Sequence, residues 1–183
     1  MRTTAGSLRE LLSGGDRRSQ ALSHLVLARV RGDRRRIEEL ARLTADEDWL
    51  VAMRALDLLE KLAHEDVSSV ESHKHVFLGD LADSDKWEIR LQVVRALPLF
   101  EWAAAERRRA VAILTRDVEF PQSFVRAWAL DSLATFAEAD PTLRPVVDRQ
   151  LRAFERSGRK SLQARARHIR ERWAKRARST GNP

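Results

Sequence analysis

The sequence predicts an all-α fold, a right-handed α-solenoid of about five antiparallel helix pairs, on three observations. A nine-residue pattern recurs: RRSQALSHL from Arg17, VAMRALDLL from Val51, IRLQVVRAL from Ile89, VRAWALDSL from Val125 and, in degraded form, LQARARHIR from Leu162. Their starts lie 34, 38, 36 and 37 residues apart, a period at which each helix pair covers its neighbour's apolar face. Composition agrees, since 7 Gly, 5 Pro, no Tyr and 6% aromatic residues give a β-rich fold little to work with. With 43% hydrophobic and 33% charged residues, the chain reads as one repeat domain over 1–183, residues 1–6 and 179–183 forming flexible ends.

Within each copy, the first, fifth, sixth and ninth places share one helical face. They hold Val51, Ala55, Leu56 and Leu59 in the second copy, Ile89, Val93, Val94 and Leu97 in the third, and Val125, Ala129, Leu130 and Leu133 in the fourth. Arg17 takes one of these places in the first copy. Arg167 and Arg170 take two in the last, which keeps its seam through Leu162, Ala166, Ile169 and Trp173. Erosion at both ends is what capping repeats show.

A polar turn precedes each copy: GGD at 14–16, DED at 46–48, DSD at 83–85, Asp117 to Gln122, and SGRK at 157–160. Ahead of the turns, helices are expected over 5–13, 33–44, 66–82, 102–117 and 141–155. Asp33, Asp66 and Asp140 are candidate N-caps. Pro121 suits the first turn of the helix that follows it, and Pro98 should end or kink the third inner helix. Lys74 falls by helical spacing among Val67, Val70, Phe77, Leu78 and Leu81, where its stem would be buried and its ammonium would reach water.

From about Ser7 to Arg178 this repeat resembles the HEAT family. The resemblance rests on paired helices, a turn acid before the second helix, and a Val-Arg followed by Ala-Leu. Its strongest residues are Asp85 with Ile89, Arg90 and Val93, and Val125, Arg126, Ala129 and Leu130; it departs at Ala52 and Gln163. It implies a solenoid able to serve as a scaffold, and no particular chemistry.

Function must then be read from surfaces. From Pro141 to Pro183 there are 13 Lys or Arg against 3 acidic residues, a balance of +10, so residues 1–140 carry −3. On the last helix Arg165, Arg172 and Arg176 flank the seam on one side and Arg167, Arg170 and Arg178 on the other. Such a surface would attract phosphates or an acidic protein patch, although cations near a helix C-terminus also complement its dipole. Along the inner row stand Arg18, Arg54, Arg90, Arg126 and Arg165, with Asp85 and Glu119 the expected partners of Arg90 and Arg126. The runs Arg34 to Arg36 and Arg107 to Arg109 read as solvated faces. Trp128 beside Arg126 could be exposed for stacking, Trp173 reads as core, and Trp49 and Trp87 should plug the junctions between turns.

For catalysis the chain offers little. His73 and His75 diverge on a helix and make a poor metal pair, and the acidic clusters 46–48 and 83–85 read as turns and caps. The 183 residues contain no Cys, glycine-rich phosphate loop or serine elbow. The reading is a non-enzymatic module for a protein or peptide partner, with no cofactor, no metal and no membrane partner, located in the cytoplasm. The alternative is nucleic-acid binding through the basic C-terminal repeat. A HEAT-like DNA glycosylase is the remote one, resting only on Trp128 with Asp131.

Overall fold

The computed structural model describes residues 6–180. Every regular segment among them is helical, and no helix is long and apolar enough to cross a membrane. The chain divides into two compact units, Met1–Phe100 and Glu101–Pro183. Most of the expected flexible ends, 1–6 and 179–183, lies outside the described residues.

In the first unit, α1 (Leu8–Leu12) pairs with α2 (Ser23–Val30), and α3 (Arg34–Arg42) pairs with α4 (Trp49–Glu65), which also packs on α5 (Trp87–Ala96). The starts are set by capping. Ser7 and Glu10 close a reciprocal box on α1, Asp33 accepts from the amides of Arg35 and Arg36, and Asp48 accepts from the amide of Leu50. The expected seam of α4 is buried, with Val51, Ala55, Leu56 and Leu59 all inaccessible to solvent. Pro98 acts as expected: α5 stops at Ala96 and the chain continues as a 3₁₀ turn, Leu97–Leu99.

Two expectations for this unit fail. Residues 66–82 do not form an α-helix; they run as 3₁₀ segments Val67–Ser69, Glu71–Phe77 and Asp80–Asp83. Ser68, Ser69, His73, His75 and Gly79 are weak helix formers, and Val70 and Phe77 still reach the core without one, Phe77 packing on Phe100 at 5.6 Å between ring centroids. Lys74 does not reach water alone. Its ammonium pairs with Glu71 and its side chain is 15% exposed.

The first repeat copy is also out of register. Ala21 sits at φ 45°, in the left-handed region, so α2 begins only at Ser23 and turns Ser23, Val26 and Val30 inward. The expected seam residues Leu22 and Leu25 are left exposed.

The second unit is regular: α6 (Ala104–Asp117) packs on α7 (Ser123–Ala139), and α8 (Arg144–Glu155) on α9 (Lys160–Thr180), with α7 also against α8 and α9. The seams agree with the sequence: Val125, Ala129, Leu130 and Leu133 on α7 and Leu162, Ala166 and Ile169 on α9 are inaccessible. Pro121 lies outside the first turn of α7, because Gln122 is the N-cap and its side chain accepts from the amide of Ser123. Trp173 is half-buried, with the Arg144 guanidinium 3.9 Å from its ring centroid.

Candidate functional site

The arginines of the inner row do different things. Arg54 is 1% exposed and is held by three main-chain carbonyls of the N-terminal turn: Leu12 at 2.5 Å, Asp16 at 2.9 Å and Ser19 at 3.0 Å. Burial lowers its pKa, and Asp48 and Asp16 counter that pull. Gly15 at φ 70° makes the turn possible; a Cβ there would also meet Ser19 at 2.8 Å. Arg54 is therefore a structural plug, its donors spent on the main chain. Arg90 donates to the Ala82 carbonyl and Arg126 to the Val118 carbonyl at 3.0 Å, whereas the acids expected for them are engaged elsewhere, Asp85 by Lys86 and Glu119 by Gln150. Arg18 is exposed and makes no ion pair among the described residues.

The basic flank foreseen on α9 is neutralised from within the unit. Asp131 accepts from Arg165 at 2.5 Å and from Arg172 at 2.6 Å, while Glu138 accepts from Arg172 at 3.0 Å and from Arg176. Arg165 also lies over Trp128, its guanidinium 4.0 Å from the ring centroid, so this face of the indole is covered and not open to a base. On the other flank Arg170 bridges Asp148 at 2.7 Å and Glu155 at 3.2 Å; burial acts to lower its pKa, but the two carboxylates outweigh it and the net shift is upward. Arg167 and Arg178 are exposed and form no ion pair among the described residues.

A concave site that the sequence did not reveal lies in the first unit. Met53, Arg54 and Asp57 of α4, Trp87, Glu88, Leu91 and Gln92 of α5, and Arg17 and Gln20 of the N-terminal turn line a groove of about 170 Å³. The side chains of Asp57 and Glu88 are only 13% and 11% exposed. Glu88 Oε1 and Gln92 Oε1 are buried acceptors with no hydrogen-bond donor among the described residues, and Arg17, itself exposed, stands off Glu88 at 3.8 Å, beyond hydrogen-bond reach. Trp87, expected as a junction plug, is half-buried and forms part of this wall; Trp49 is likewise half-buried, with the Lys86 ammonium 5.9 Å from its ring centroid. One turn beyond Asp57, Glu60 is inaccessible and ties α4 to α5 through Arg95 at 3.0 Å, with His64 of its own helix at 2.8 Å. Burial pushes its carboxyl up, against the pull of both partners. Only the alternation of acids with apolar residues on α4 and α5 could have hinted at the groove, since which acids remain short of donors depends on side chains far apart in sequence.

No protein-family model and no curated protein matches this chain. Solved structures do. One is a designed armadillo repeat protein in complex with the peptide (KR)4, 15% identical, covering 90% of this chain and 79% of that one with a TM-score of 0.62. Another is a computationally designed armadillo repeat protein for modular peptide recognition, 14% identical with the same coverages and a TM-score of 0.60. A further engineered protein is 19% identical over 90% of this chain and 76% of its own, with a TM-score of 0.59. The fold is an all-α solenoid. At such identities the likeness is one of backbone alone: it supports a helical-repeat fold and does not single out HEAT repeats. Among the described residues of this solenoid, no three His, Asp or Glu side chains gather as a metal site would need.

Proposed function

We propose that this solenoid is a non-enzymatic module that binds a peptide or protein partner, and that the groove of the first unit takes a basic side chain of it. The observation that carries the reading is the pair of buried acceptors, Glu88 Oε1 and Gln92 Oε1, left without donors beside Asp57 and the ring of Trp87. An unsatisfied buried acceptor is costly, and a guanidinium or ammonium entering the groove would satisfy it while stacking on the indole. Arg17 supports this, because the chain's own guanidinium is already drawn to Glu88 without closing a hydrogen bond. Charge agrees as well: the first unit has 16 basic against 17 acidic residues and would not repel a cationic peptide. A structural neighbour that is a designed protein in complex with the peptide (KR)4 is consistent with this reading.

The test is fluorescence anisotropy with a labelled alternating Lys-Arg peptide and an alternating Glu-Ser control. Wild type should bind only the former, and Glu88→Gln should weaken it about tenfold, about 1.4 kcal/mol. Equal affinities for wild type and Glu88→Gln, or no binding of the basic peptide, would remove the groove as the site.

A further inference from the structure

The carboxylates of the second unit leave one of its faces unneutralised. On α9, Lys160, Arg167, Lys175 and Arg178 fall within about 80° of arc at 100° per residue, directly opposite the buried Leu162, Ala166 and Ile169. On α8 and its C-cap, Arg149, Arg152 and Arg156 occupy about 60° of arc, opposite the buried Val147, Leu151 and Phe154. All seven are exposed, and none forms an ion pair among the described residues. The acids that could have met them are committed: Asp148 and Glu155 to Arg170, Asp131 to Arg165 and Arg172, Glu138 to Arg172 and Arg176. Glu171 is the only acid left on the α9 stripe.

α8 and α9 pack on each other and on α7, so both stripes lie on the outside of this helix group, the one on α9 running about 27 Å from Lys160 to Arg178. Neither stripe has an apolar anchor among the described residues. The exposed large hydrophobic residue of this unit is Phe124, on α7. A protein partner needs a desolvated aromatic or aliphatic centre, whereas a phosphate backbone needs only cations at its own spacing. We infer that the outward face of the α8–α9 hairpin binds the phosphodiester backbone of double-stranded nucleic acid, without base readout. It is separate from the peptide groove of the first unit. It shares Arg167 and Arg178 with the surface that periodicity suggests but not Arg165, Arg172 and Arg176, which carboxylates of the unit neutralise.

The test is anisotropy of the full chain with two labelled mixed-sequence DNA duplexes of about 24 base pairs, from about 50 to 200 mM salt. Both duplexes should bind alike, with a log-log salt slope of about −4 to −6. The triple variant Arg152→Glu, Arg167→Glu, Arg178→Glu should weaken binding at least tenfold and flatten the slope by about 3, while Arg176→Gln should change affinity less than about twofold. Circular dichroism checks the fold of each variant, and Arg149→Gln with Lys175→Gln is a milder pair should the triple variant not fold. Glu88→Gln should leave duplex binding unchanged, which separates this face from the peptide groove. No complex at the lowest salt, an unaffected outward-face variant, or tighter binding of polyglutamate lost through the same substitutions would overturn the proposal, the last in favour of an acidic protein partner.

Discussion

In the first unit Arg54 is satisfied by main-chain carbonyls, whereas in the second Arg165 and Arg172 are satisfied by carboxylates of the neighbouring helix. The contrast follows from backbone regularity. The N-terminal turn between α1 and α2 leaves the carbonyls of Leu12, Asp16 and Ser19 outside any helical ladder, and the broad fork of a guanidinium, with five N–H donors, meets all three. In the second unit the long helix α7 satisfies its own carbonyls, and its largely buried acids Asp131 and Glu138 take the arginines of α9 instead. The net result is unequal charge, 16 basic against 17 acidic residues in one unit and 18 against 10 in the other. Equivalent positions of a repeat can therefore be structural in one unit and part of a charged ladder in the other.

The largest effects should fall where the units are alike. Leu130→Ala in α7 and Leu56→Ala in α4 should each cost about 2 to 5 kcal/mol in urea unfolding, because both side chains are inaccessible and their cavities cannot fully collapse. A loss of less than about half a kcal/mol for either would mean that its seam is not the packed face.

Next comes the contrast itself. Arg54→Met should cost about 2 to 3 kcal/mol, since three carbonyls lose a charged donor, whereas Arg165→Met should cost under about 1 kcal/mol because that site is partly open to water. Hydrogen exchange should show the Arg54 loss concentrated in α1 and α2; equal costs for both variants would erase the distinction.

Smaller still, Asp131→Asn should cost about 1 kcal/mol, as Arg165 and Arg172 each lose a charged acceptor but keep access to solvent. Thermal melts in low and high salt should converge for wild type and variant if the effect is electrostatic.

The smallest effect is a pH dependence, which two exposed ion pairs of the first unit illustrate. A hydrogen bond from Arg9 holds the Asp46 carboxyl below its ordinary range, and one from Arg31 does the same for Glu65. With folded-state values depressed, their contribution is complete above the ordinary carboxylate pKa and is lost as pH falls through the folded values. Carboxyl shifts followed by NMR should therefore titrate below the ordinary range for Asp46, and in Arg9→Gln the Asp46 midpoint should return toward it. An unchanged midpoint would remove Arg9 as the cause.

The sequence by itself determined the parts that depend on near neighbours. The repeat period, the seams of α4, α5, α7 and α9, the Asp33 cap and the stop at Pro98 all follow from spacing within one or two turns, where a side chain's face is set by helical geometry. Only the tertiary structure decided the register of the first copy, where Arg54 from 35 to 42 residues away fixes the turn, and the 3₁₀ course of 67–83, where two core contacts outweigh a helical ladder. The same holds for the surface. Asp131 reaches Arg165 across 34 residues and Arg172 across 41, so which cations are neutralised and which face outward is set by distances between helices that no local pattern records.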